Sequence, residues 1–456
     1  MRIEEFIERQ RLEPVESLFS PKMRQICGLA LLVGFGFLVG YHTLNGYWDA
    51  YFFFYSLTYI AAFWLSPYSY QRTFTLVTLA LGVRLFANYV SPLFVVFDDE
   101  LGYSRIAVEV SSSLNSEESY PWGYYPWGNV SGFLYYLFGA SPHVVKALNA
   151  WLGVLTAFAL CRVASRLYRD PRVSRLALLA GLFLPPLIFL SSIALKEQLI
   201  AFLLVLILFG ITEKHWSGWA LATVGILLLA QFRFDFALGV IGLIGIYWTV
   251  RCCTHRRLPW LLKPMALVLG VAVLIGFLAM ALQLEAVQES KAFQVFSGED
   301  KRGIAQMRQS QAQFVEYLDV GNTFALKNLL LAPVRSVYSP SPLRPLKSPS
   351  FEVLFEALTL TLFWYIVFPY AVLGILASGL NPDRWFAIGI FLVVFLSASY
   401  AVLTFAPETF RYRWPALPIF FMLAAYGWFY RNKQWRQGIL FVWWGSVTIF
   451  SAVYLL

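Results

Sequence analysis

Apolar runs of about 20 residues, separated by short polar stretches, recur along the chain from residue 26 onward. As a helix, a run of that length covers about 30 Å, the thickness of the bilayer's hydrocarbon core. Windows of ~19 residues predict thirteen helices. They lie near 26–44, 47–66, 73–97, 143–166, 176–192, 198–213, 217–231, 236–251, 260–284, 352–378, 384–405, 415–430 and 437–456. The expected fold is all-α: a polytopic transmembrane helical bundle of about 13 spans. Pro185-Pro186 breaks the fifth span, and a break inside a membrane helix usually faces protein or a cavity. Residues 1–25 follow another pattern. Ile3, Phe6 and Ile7 recur at helical spacing opposite Glu and Arg, which predicts a cytoplasmic interfacial helix. No small-residue cleavage site follows the first apolar run, so no cleavable signal peptide is expected.

Composition narrows the class. Charged residues make up 13% of the 456 and hydrophobic residues 59%, against about 25% charged in soluble domains. That excludes both a disordered chain and a soluble enzyme. The net charge of +9 does not point to nucleic acid, because Lys and Arg retain loops on the cytoplasmic side. With the N-terminus inside, the cytoplasmic segments hold 20 basic residues and the short outer loops only six: Arg105, Lys146, Lys196, Arg233, Arg411 and Arg413. Cys27, Cys161, Cys252 and Cys253 lack metal-site spacing and predict neither a disulfide nor a structural metal. The four histidines do not cluster.

This topology sends the unusual polar residues to the outer side. Asp98-Asp99-Glu100 follows the third span, Lys196-Glu197 lies between spans five and six, and Arg233 and Asp235 between spans seven and eight. Glu408, Arg411 and Arg413 lie between spans eleven and twelve, and the long segment 285–351 shares that side. Charges at the membrane edge are expensive and persist when paired or lining a wet cavity. The three carboxylates suit a general base or oxygen ligands for a divalent cation, or a solvated helix end. Lys196-Glu197 suits a site or a surface pair. Arg411 and Arg413 suit a phosphate or an interface anchor. Arg84, the one clear charge inside a span, suits snorkelling or a carboxylate partner. Residues 120–141 are too short to span and predict helices in the outer interface. Trp122, Tyr124, Tyr125 and Trp127 there suit a sugar face or the headgroup layer.

In order and spacing these residues make the chain resemble the GT-C membrane glycosyltransferases, the superfamily of protein O-mannosyltransferases and the lipid A aminoarabinose transferase. That group opens its first large outer loop with an acidic pair and a tyrosine, like Asp99-Glu100 and Tyr103 here. A short helix ending in an LFG-like turn follows, as at Gly132–Ser141, then a pattern like ARLLNALLG, as at Val145–Gly153. A loop like LLKE matches Ala194–Glu197, and one like RYRLPLLP matches Arg411–Pro418. The likeness covers about 98–235 and 406–430; between them only hydropathy matches. Two departures stand out. Two added spans (26–66) precede the span that leads into the acidic loop, where the group usually has one span in all, and Tyr120–Ser131 lacks the lysine that touches the donor phosphate in the lipid A branch.

The resemblance implies an organisation: a cytoplasmic interfacial helix (1–25), an added transmembrane hairpin (26–66), a GT-C-like module (67–284) with its acidic outer loop at 98–142, a long outer loop (285–351) and C-terminal transmembrane helices (352–456). It implies a transferase of the bacterial cytoplasmic (inner) membrane serving cell-envelope polysaccharide biosynthesis. The enzyme would move a sugar from a polyprenyl-phosphate-linked donor to a glycan, lipid or protein acceptor at the outer face, among membrane lipids and without nucleic acid. Asp99 would be the general base, with Asp98 the competing register and Glu100 an orienting group. Tyr103, Lys196, Glu197, Arg233, Arg411 and Arg413 would bind substrate. The group differs in metal use, so Mg or Mn on Asp98, Asp99 and Glu100 stays open. A ligase or polymerase using a polyprenyl-pyrophosphate donor is the alternative in the same chemistry, with Arg308, Arg335 and Arg344 as its cations. A lipid-linked glycan flippase is the alternative from another class; it would want paired broken helices and midplane charges.

Overall fold

The computed structural model describes residues 48–90, 98–114, 126–213, 215–254, 337, 361–379, 381–404, 413–430 and 432–455. Among these residues there are fourteen α-helices and no strand. They are α1 Trp48–Leu65, α2 Tyr70–Val90, α3 Asp98–Ser113, α4 Pro126–Phe138, α5 Pro142–Tyr168, α6 Pro171–Phe183, α7 Pro185–Ser191, α8 Glu197–Glu213, α9 Trp216–Phe232, α10 Phe234–Thr254, α11 Leu362–Ala377, α12 Pro382–Thr404, α13 Leu417–Trp428 and α14 Lys433–Leu455. The expected spans near 26–44 and 260–284 lie outside the described residues, as do the interfacial helix at 1–25 and all of 285–351 except Val337.

The remaining eleven expected spans each coincide with a helix, the fifth with two. Four described segments are long and apolar enough to cross a membrane: Tyr70–Val90, Pro142–Tyr168, Phe234–Arg251 and Pro382–Ser399. The pair α6 and α7, bent by 50° at the Pro-Pro break, makes a fifth if taken as one span. The chain is therefore helical and apolar in the manner of a membrane-embedded protein. α8, α9, α11 and α13 hold 12 to 17 residues, only ~18–26 Å of helix.

α5 is the central post. Its 27 residues begin with Ser141 as N-cap, whose hydroxyl accepts from the His143 N–H, and Pro142 in the first turn. They end where Arg169 takes a left-handed conformation (φ 53°) and its N–H bonds the Ser165 carbonyl. Of its apolar window 89% is buried, against 28% for Phe234–Arg251. A helix buried all round needs apolar residues on every side, which is why α5 lacks a polar face. α1, α2, α6 and α8 pack around it. α11 and α13 meet backbone to backbone: a β-carbon on Gly374 or Gly427 would collide with the main chain of the other helix.

The two ends of the bundle differ. At one end arginines bond helix termini: Arg162 donates to the Leu65 carbonyl at 2.6 Å, Arg166 pairs with Glu213, and Arg384 donates to the Leu167 carbonyl at 3.0 Å. These are residues the sequence assigns to the cytoplasmic side, together with exposed Arg172 and its partner Asp170. The first turn of α3 and the α7–α8 and α9–α10 connections share the other end, where Asp99, Glu100, Glu197 and Asp235 lie.

Candidate functional site

The site is built on the turn Ser192–Lys196, which joins α7 to α8. Its backbone is buried, so each carbonyl and N–H there needs a partner. Side chains from three other helices supply them. Asn149 of α5 donates to the carbonyls of Ile193 (2.6 Å) and Leu195 (2.9 Å). The Trp127 indole of α4 donates to the Ala194 carbonyl at 3.0 Å. The Ala194 N–H donates to Glu100 Oε1 of α3 at 3.3 Å. The same oxygen lies 3.1 Å from Lys146 Nζ of α5, with side chains 8% and 4% exposed. The Asn88 amide of α2 donates to the Lys146 carbonyl at 3.3 Å. Glu100 therefore compensates one buried cation and one buried amide at once.

Fixed this way, the turn presents Lys196 and Glu197. Burial holds the Lys196 ammonium below the ordinary lysine range. Glu197 acts against that shift, Arg233 adds to it, and Asp235 and Asp99 oppose it. All four charges are thus within electrostatic reach of one ammonium. Lys196 Nζ also sits 5.9 Å from the centre of the Tyr103 ring, one turn along α3 from Asp99. Arg233 caps the C-terminus of α9, where its N–H bonds the Leu229 carbonyl. Its guanidinium lies 4.5 Å over the Phe236 ring and 3.4 Å from Asp235. Glu197 is 7% exposed, and its Oε2 has no hydrogen-bond partner among the described residues. The first turn of α8 gives that carboxylate a favourable helix dipole. Asp99, on the first turn of α3, is exposed. Three carboxylates on the first turns of α3, α8 and α10, and two cations just before α8 and α10, thus gather at one end of the bundle.

No protein-family model, curated protein or solved structure matches the chain.

The structure brings together Asp99, Tyr103, Lys196, Glu197 and Arg233, and adds Asp235. Other expected residues go elsewhere. Glu100, expected beside Asp99 as an orienting group or cation ligand, is buried against Lys146 and Ala194. Asp98 opens α3, and Arg411 and Glu408 lie outside the described residues. Arg413 is 5% exposed and its guanidinium lies 4.1 Å over the Trp364 ring of α11. Trp127 does not offer a sugar face: it is 1% exposed, and its indole N–H is committed to Ala194. Trp122, Tyr124 and Tyr125 lie outside the described residues. Arg84 neither snorkels nor meets a carboxylate among the described residues; it is 0% exposed and bonded to backbone carbonyls. Sequence reasoning missed Lys146 and Asn149 as supports of the turn. Their signal was a lone lysine and an asparagine three residues apart in an otherwise apolar helix.

Among the described residues no three of His, Cys, Asp and Glu converge to hold a metal ion. Of the carboxylates expected as a cation set, Glu100 is committed to Lys146.

Proposed function

We propose that the chain is a membrane glycosyltransferase, moving a sugar from a polyprenyl-phosphate-linked donor to a glycan, lipid or protein hydroxyl at the outer face of the cytoplasmic membrane. One observation carries this reading. Asp99 on the first turn of α3, Lys196 just before α8 and Arg233 just before α10 converge at one end of an apolar bundle. A lipid phosphate enters from the membrane plane and rests at headgroup depth, the level of such connections. Lys196 and Arg233 hold the donor phosphate and stabilise the charge that grows on it as the sugar departs. Asp99 accepts the proton of the acceptor hydroxyl while that oxygen attacks the anomeric carbon, inverting it. Tyr103 and Phe236 back the two cations with ring faces. Glu197 opposes the effect of burial on the Lys196 ammonium.

The test is release of free lipid phosphate from a panel of polyprenyl-phosphate and -pyrophosphate sugars, using purified wild type and Asp99→Asn. Removing a general base costs about 10²–10⁴-fold in rate. The expected result is turnover by wild type, a loss of that size in the variant, and unchanged thermal unfolding. Near-wild-type turnover by Asp99→Asn would remove Asp99 from the role. Release of lipid pyrophosphate would move the assignment to a ligase or polymerase. Transbilayer movement without release would move it to a flippase.

A further inference from the structure

We propose that Arg84 is a positioning residue: its guanidinium replaces two backbone donors that Pro185 and Pro186 lack, and so sets where the Ser192–Lys196 turn stands. In a helix the N–H of residue i bonds the carbonyl of residue i−4. Leu184 still does so, to Ala180 at 3.0 Å. The next two residues are prolines without an N–H, and they strand the carbonyls of Gly181 and Leu182. Arg84 of α2 bonds these two carbonyls. Its Nη2 donates to Gly181 at 2.8 Å and its Nη1 to Leu182 at 2.6 Å. A bare carbonyl in apolar surroundings costs several kcal/mol, and so does a bare guanidinium. Each relieves the other. No carboxylate approaches Arg84 among the described residues, so the break itself is its partner.

The neighbours are cut to fit. Gly153 of α5 faces the guanidinium: a β-carbon there would lie 3.0 Å from Arg84 Nε and 3.0 Å from Ser191 Cβ. Gly181 lets α6 press on α5, since its β-carbon would come 2.6 Å from that of Ala157. Arg84 Nε has no partner among the described residues, and it borders a small cavity shared with Thr156 and Gln198. Gln198 is the second residue of α8, directly after Glu197.

The consequence for the site follows from leverage, and this part rests on the transferase reading. α7 is seven residues long, about 10 Å from the break to the turn. A change of about 10° in the bend moves its far end by about 2 Å. Misplacing a reacting group by 1 Å costs about 100-fold. Asn149, Trp127 and Glu100 hold the turn from α5, α4 and α3; Arg84 holds the helix that delivers it.

Three readouts test this: amide hydrogen exchange across Ser192–Glu197, thermal unfolding, and donor kcat and KM. Arg84→Met is expected to speed exchange of the turn at least tenfold and to lower kcat at least tenfold, with donor KM within threefold. Arg84→Lys carries the charge without the planar fork and is expected to recover only part. In a Pro185→Ala/Pro186→Ala background the two carbonyls regain N–H partners, so Arg84→Met should lower the unfolding temperature by less than it does in wild type. Unchanged turn exchange in Arg84→Met, or equal losses of stability in both backgrounds, would overturn the proposal. If Arg84→Met does not fold, Arg84→Lys and the proline background carry the same comparison. Should wild type release no lipid phosphate from any donor, sugar transfer fails, while turn exchange still decides the role of Arg84.

Discussion

At the scale of single residues, two carboxylates one position apart have opposite tasks. Asp99 is exposed to the charge cluster, while Glu100 is sealed against Lys146 and the Ala194 N–H. Consecutive helix positions point about 100° apart, so adjacent acids need not share a site. Lys196 gives the sharpest prediction at this scale. Burial lowers its affinity for the proton, so it loses its charge at lower pH than an exposed lysine. Under the proposed transferase reading the charged form would hold the donor phosphate, so donor KM is expected to rise as pH increases, with a midpoint below the usual lysine range. Lys196→Arg keeps the charge and should flatten that rise. A wild-type KM that stays constant through the lysine range would separate Lys196 from the donor.

At the scale of elements, the Glu100–Lys146 pair locks α3 to α5, and the Asn149 and Trp127 bonds lock α5 and α4 to the turn. Breaking one side of a buried pair typically costs about 3–5 kcal/mol, whereas replacing both partners with apolar groups is often neutral. Lys146→Met alone should therefore lower stability by about that amount. Glu100→Leu/Lys146→Met together should recover much of it, apart from the lost bond to Ala194. Equal losses in the single and double variants, measured by chemical unfolding in detergent, would show that the pair is not coupled. The apolar helices were legible in the sequence, because apolar length and proline breaks are local signals; α3, polar enough to read as a loop, was not. Glu100 was misplaced because its partner is 46 positions away, and proximity to Asp99 in sequence was the only cue. Arg84 was misread for a different reason. A charge inside a span suggests an acidic partner, whereas the partner here is backbone; the pair Pro185-Pro186, which marks the stranded carbonyls, was the signal in the sequence.

At the scale of the whole molecule, the described residues form a helical body with arginines bonding helix termini at one end and the mixed-charge cluster at the other. If the arginine end faces the cytoplasm, as its basic excess implies, the two ends differ in access. A cysteine at exposed Leu101, placed in a chain whose native cysteines are replaced, should react with a membrane-impermeant maleimide on intact cells. One at exposed Arg172 should react only after the cells are opened. The reverse pattern would invert the topology and move the cluster inside. The burial of Arg84 also bears on how such a body is made. Its acceptors Gly181 and Leu182 lie 97 and 98 residues downstream. At about 5–20 residues per second, the ribosome delivers them roughly 5–20 s after Arg84 has emerged. Throughout that interval α2 carries a cation with only the Ala80 carbonyl of its own helix, at 3.4 Å, to bond to, and lipid is a poor place to wait. The expected consequence is that α2 stays beside the insertion machinery until α6 arrives, so that these helices assemble as a group rather than being released one at a time.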